Sequence, residues 1–173
     1  NENQKLQQLL EMNQEIEQVK DLDVRFYNEE GELRAAAGDL EGALASMERA
    51  LGIMPDEPSR ARARVLASLA QRLMIDGRFN DSVRYADQAL AMAAAVGARG
   101  DDVIAIRAHA VCTKGVNVAY LGDPSAGLQL LEEAAGLARS AGRLDELMRI
   151  AANRTTLLDL DLRREEALSV VEE

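Results

Sequence analysis

Apolar residues along this chain recur at the spacing of a helix. In ARARVLASLAQRLM (61–74), Val65, Leu66, Leu69 and Leu73 share one stripe, while the arginines and glutamine between them face the other way. The stretch GDLEGALASMERALGIMP (38–55) has a Gly-Asp turn, an amphipathic run and a closing proline. Its phrasing returns as GRFNDSVRYADQALAMA from Gly77, as GDPSAGLQLLEEAAGLA from Gly122, and in degenerate form as LRREEALSVVEE from Leu162. The four markers are 39, 45 and 40 residues apart.

After each marker the same positions are small or apolar. Five residues on stand Ala43, Ser82, Gly127 and Ala167; nine on, Met47, Ala86, Leu131 and Val171; twelve on, Ala50, Ala89 and Ala134. Steps of four and three keep these positions on one helix face, where small side chains let a second helix come close. Each unit therefore reads as a hairpin, helix A before the turn and helix B after it, which cannot bury its apolar face alone. The expected fold is all-α, a superhelical array of antiparallel helix hairpins. Seven or eight helices are expected after an N-terminal helical extension. The expected organisation is an extension over residues 1–24 and a repeat domain over 25–173, with repeats at 25–57, 58–98, 99–142 and 143–173.

These residues resemble the tetratricopeptide repeat, whose motif reads W-x2-L-G-x2-Y, then A-x3-F, then a closing Pro. Residues 24–57 carry the most letters: Tyr27 at the aromatic position, Gly31 at the first glycine, Ala43 and Met47 at the A-x3-F pair, and Pro55 at the stop. Glu30 and Arg34 depart from it, standing for the Leu and the Tyr. In the third unit Gly115 matches the first glycine and Val111 replaces the aromatic. The resemblance implies a module that binds proteins or peptides. Long Ala- and Arg-rich repeats of this kind also look like the arms of large bacterial LuxR-type regulators and related signalling ATPases. That likeness implies a sensory or regulatory arm of a larger signalling or transcription-regulator protein.

The two ends differ from the middle. Residues 1–24 contain five Gln, two Lys and no Arg, whereas the remaining 149 residues contain three Gln, one Lys and all 17 Arg. Leu9, Met12, Ile16 and Val19 form a short coiled-coil seam, bounded by Lys5 and Asp23. This segment either packs on the first repeat or joins a second copy, and its wording also looks like the linker helices that precede GAF domains. The last unit stops at Glu173 within helix B, so the array is expected to continue, and Leu168, Val170 and Val171 offer a second edge for self-association. An oligomerisation scaffold is thus the alternative to a peptide-binding module.

Charge narrows the partners. The formal net charge is −10 with a pI near 4.7, and an acidic surface repels phosphate backbones, so no nucleic acid is expected on this segment. No basic amphipathic run or long apolar window suggests a membrane, and one cysteine fits a reducing, cytoplasmic setting. Aromatics are only 3%, which suits close-packed helices built on Ala, Leu and Val.

Candidate chemistry is sparse. There is no Gly-rich phosphate loop, so no cofactor is expected, and His109 with Cys112 falls short of the four ligands of a zinc site. As a nucleophile and base they lack a carboxylate nearby in sequence, so no catalysis is expected. One constellation remains. Thirteen residues before each marker stand Arg25, Arg64, His109 and Arg149, early in helix A, where this family contacts peptides. With Asn28, Gln71 and Cys112 they make the expected groove, suited to an acidic peptide unless the cations pair with Glu29, Glu32 and Asp145. The Lys and Asn pattern of the carboxylate-clamp repeats is missing: Asn28 matches it, while Lys114 and Asn117 do not.

Overall fold

The computed structural model describes residues 2–97 and 100–160. Among them are seven α-helices and no strand: α1 (Glu2–Ala36), α2 (Leu40–Ile53), α3 (Arg60–Ile75), α4 (Phe79–Val96), α5 (Asp101–Tyr120), α6 (Pro124–Ser140) and α7 (Leu144–Leu160). The extension is not a helix of its own. α1 passes through the change of composition at residue 24 without a break, because no glycine, proline or capping turn interrupts residues 2–30. The expected fourth helix B, with Ala167, Leu168, Val170 and Val171, lies outside the described residues.

The chain divides into two compact units, Asn1–Asp56 and Glu57–Glu173. In the first, α2 folds back on the C-terminal part of α1. In the second, α3 pairs with α4 and α5 with α6, α5 also lies against α4, and α7 follows α6.

The markers are turns for a physical reason. Gly38, Gly77 and Gly122 have φ of 82°, 76° and 114°, a region that costs a residue with a Cβ about 1 kcal/mol or more. The next residue then reaches back five positions: Asp39 N–H to Arg34 C=O at 2.9 Å, Arg78 to Leu73 at 2.9 Å, and Asp123 to Val118 at 3.1 Å. These bonds cap helix A with its own last carbonyls. Where the following residue is Asp, its carboxylate caps helix B, accepting from Gly42 N–H (Asp39) or Ala126 N–H (Asp123). Gly142 closes α6 in the same way, a fourth turn of this type that the marker spacing passes over.

The small-residue face is the seam of every hairpin. Ala43, Met47 and Ala50 in α2, Ser82, Ala86 and Ala89 in α4, and Gly127, Leu131 and Ala134 in α6 are all buried. The approach is closest in the third hairpin. A Cβ on Gly127 would lie 2.6 Å from the Gly115 carbonyl oxygen, and one on Gly115 would lie 2.9 Å from that of Gly127. The two backbones touch there. The second hairpin uses the same position differently. Ser82 Oγ donates to Ala70 C=O at 2.6 Å and accepts from Asn117 Nδ2 at 2.7 Å, and Asn117 Nδ2 also donates to Thr113 C=O at 2.8 Å. These side chains are buried, so one hydrogen-bonded chain joins α3, α4 and α5 in the core.

Two glycines of α6 should respond oppositely to alanine. Gly127→Ala forces the α5–α6 pair apart and should cost about 1–3 kcal/mol. Gly136 meets nothing within 4 Å, so Gly136→Ala should stabilise α6 by about 0.5–1 kcal/mol. Urea denaturation followed by circular dichroism measures both; equal effects would mean that the seam is not where α5 and α6 meet.

Candidate functional site

Within the second unit the A helices form an inner row. α3 touches α5 and α5 touches α7, whereas α4 and α6 scarcely meet. The row encloses a concavity of about 330 Å³. Arg64, Ala67 and Ser68 line it from α3, and Asp102, Ala105, Ile106 and His109 from α5. Both sets follow the i, i+3, i+4 spacing of one helix face. Arg143, in the turn after α6, and Glu146, on α7, complete the wall. Ala67, Ala105 and Ile106 are buried and make an apolar floor, with charged groups at its rim.

Glu146 organises the charges at one end. His109 Nδ1–H donates to its Oε1 at 2.7 Å, and Arg149 donates to its Oε2 through Nε at 3.0 Å and Nη2 at 2.9 Å. Arg149 Nη2 also donates to the His109 carbonyl at 3.1 Å, and Thr113 Oγ1 donates to that same oxygen at 3.0 Å. Burial pushes the Glu146 carboxyl up, but the hydrogen bond and charge of His109 and the Arg149 guanidinium outweigh it and hold the group below the ordinary carboxylate range. At the rim, Arg143 grips Asp145 through two bonds of 3.0 and 2.7 Å, and that hydrogen bonding holds Asp145 at about 2. Arg64 has no ion-pair partner among the described residues.

The expected site residues are divided between the two units. Arg25, exposed, and Asn28, half-buried, lie on α1 in the first unit. Arg64 and His109 meet at the concavity, with Arg149 behind them on Glu146 and Gln71 half-buried further along α3. The cations do not form an open row, since Arg149 is already bound. Its partner is Glu146, not Asp145, which instead holds Arg143. Cys112 is a correction: with 0% exposure it belongs to the core, where its thiol accepts from Asn153 Nδ2 at 3.4 Å. Burial pushes that thiol up, against the lowering pull of Arg149 and Asn153, so it stays protonated. Glu146, Asp102, Ser68 and Arg143 were not foreseen. For Glu146 the sequence held one local signal, its i, i+3 relation to Arg149. Among the described residues, no three His, Cys, Asp or Glu side chains are placed to hold a metal ion, and no helix is long and apolar enough to cross a membrane.

Glu146→Ala should destabilise the chain by about 1–3 kcal/mol, because it strands two half-buried donors. A carboxyl lowered in the folded state contributes stability above its unfolded value and loses it as pH falls. The wild-type melting temperature should therefore drop on acidification below about pH 4.3, the ordinary glutamate value, and Glu146→Gln should drop less steeply. Parallel melting profiles would reject the role assigned to Glu146. Cys112 should react with a thiol reagent only as fast as the chain unfolds, rising with urea; prompt labelling of the native chain would contradict its burial.

Comparison with known proteins bears on the second hairpin. Residues 62–97 match the sequence model of a tetratricopeptide repeat family, a span that holds nearly all of α3 and the whole of α4. No curated protein matches the chain. Among solved structures, a tetratricopeptide repeat protein from Parabacteroides merdae ATCC 43184 is 14% identical, with a TM-score of 0.40 over 87% of this chain and 78% of that one. Over residues 62–97, then, the chain is similar to a tetratricopeptide repeat.

Proposed function

We propose that the second unit is a non-catalytic binding module that holds a peptide segment of another protein against α3, α5 and α7. The observation that carries this reading is the concavity itself. α3 and α5 present an apolar floor, α7 closes it with Glu146, and above it stands one uncommitted guanidinium, that of Arg64. An apolar side chain of the peptide would lie over Ala105 and Ile106, and a neighbouring carboxylate would take charge-assisted bonds from Arg64. An acidic peptide fits for this reason, although the selectivity rests on one arginine rather than a column. Asp102 on the opposite side of the floor disfavours a uniformly acidic ligand and sets its direction along the groove.

In the full-length protein, this module would serve as a sensory or regulatory arm of a signalling or transcription-regulator chain, acting in a reducing, cytoplasmic setting. The likeness of its long Ala- and Arg-rich repeats to the arms of LuxR-type regulators supports that wider role.

Selection from a displayed random-peptide library, with the whole chain as bait, tests the proposal. Arg64→Ala should weaken the selected peptides by about 1.5–3 kcal/mol, roughly 10- to 100-fold. Ser68→Arg should block the floor, while Arg84→Ala, on α4 and already paired with Asp81, should leave binding unchanged. Peptides indifferent to both groove variants would overturn the assignment.

A further inference from the structure

We propose that the concavity of the second unit reads a pair of opposite charges. Its ligand carries a carboxylate on one side of an apolar side chain, bound by Arg64, and an ammonium or guanidinium on the other side, bound by Asp102. This inference deepens the peptide-binding reading above and rests on it. It narrows the acidic peptide of that reading to a dipolar one.

Five of the side chains lining the concavity can carry charge: Arg64, Asp102, His109, Arg143 and Glu146. Three of them are already joined to groups of this chain. His109 donates to one oxygen of Glu146 at 2.7 Å, Arg149 donates to the other at 2.9 Å, and Arg143 holds Asp145 at 2.7 Å. Arg64 and Asp102 are left, and they are opposite in sign. Both are exposed, and neither side chain makes a hydrogen bond or ion pair with the other or with any described residue.

Their places on the helices keep them apart. Arg64 stands in the second turn of α3 and Asp102 in the first turn of α5. Packed helices run about 8–10 Å from axis to axis. The floor between these two is Ala67, Ala105 and Ile106, buried and apolar, with no group that could bridge the charges. Each charge therefore faces solvent over the same floor, where walls of low dielectric strengthen the pull on a matching charge. Arg143 feels the charge of Asp102, but its donors go to Asp145, through Nε at 3.0 Å and Nη2 at 2.7 Å. Asp101 and Asp102 both complement the positive end of the α5 dipole; of the two, Asp102 is the one that lines the concavity.

The two ligand charges must come from one segment of chain. The nitrogen and the carboxyl carbon of a free amino acid are about 2.5 Å apart, too close to span two helices. In a peptide an intervening apolar residue sets the acid and the base apart. Ser68, half-buried one turn beyond Arg64, offers a hydroxyl to the main chain that crosses the floor. A ligand of one sign satisfies one wall and brings a like charge up to the other, so the concavity selects against it.

A displayed random-peptide library, selected on the whole wild-type chain and on the double variant Arg64→Asp, Asp102→Arg, tests this. Wild-type selections should carry one acid and one base on opposite sides of an apolar residue, always in the same order. Selections on the double variant should carry them in the reverse order. Against synthetic peptides from the wild-type set, Arg64→Ala and Asp102→Asn should each weaken binding by about tenfold or more. Neither should change helicity, since both side chains are exposed. Ser68→Arg separates this inference from the reading beneath it. Suppose it abolishes binding, yet the selected peptides are uniformly acidic or indifferent to Asp102→Asn. The groove then stands and the dipolar rule is overturned. Binding that survives Ser68→Arg would overturn groove and rule together.

Discussion

Everything in the second unit depends on how near two helix backbones can come. Gly115 and Gly127 are in such close contact that either would collide with the other's carbonyl if it carried a Cβ. At that distance dispersion between main chains does the work that large side chains do in other cores, which is why a chain with 3% aromatics can still exclude water from its interior. The larger residues of α7, Ile150 and Leu157 among them, then fill the space between the third hairpin and α7. Spacing within a hairpin is set by glycine and alanine, and spacing to the next helix by leucine and isoleucine.

The same hierarchy shapes the electrostatics of the inner row. Because α5 and α7 touch, Glu146 holds the His109 ring on one oxygen and Arg149 on the other, while Arg149 donates to the His109 carbonyl, so an imidazole and a guanidinium are tied to one carboxylate. Such half-buried pairs define geometry more than they add stability, since each group gives up water to make them. The consequence for recognition is a rim on which most charge is spoken for. Arg64 stands out as the guanidinium in this wall that no acid has claimed.

The hairpin seam could be read in advance because its signal is periodic and repeated: Ala43, Ser82 and Gly127 stand at one position, Met47, Ala86 and Leu131 at another, and in each hairpin they are buried. The groove could not be read so well. α5 is packed on several sides, with Val103, Ala105, Ile106, Ala108, Ala110, Val111 and Cys112 all buried, so its pattern has no polar face by which to tell groove from core. Counting from the turn put His109 on the row, and Cys112, grouped with it for the groove, is buried in the core by the helices packed around α5. Glu146 depends on a contact spanning 37 positions, which no local pattern encodes. The length of α1 was obscured for the opposite reason, because a change of composition at residue 24 looks like a boundary while the backbone has no cause to stop there.

The buried hydroxyl and amide at Ser82 and Asn117 have a consequence for how this sequence can drift. Losing the serine alone would strand an amide proton in the core, and losing the asparagine alone would leave the serine without its donor. Replacing both with apolar residues of similar size can be nearly neutral. The two positions, 35 residues apart, thus form one unit of inheritance. Descendants of this chain should carry the pair intact or have lost it in two closely spaced steps, and a homologue with half of it should have found a replacement partner nearby.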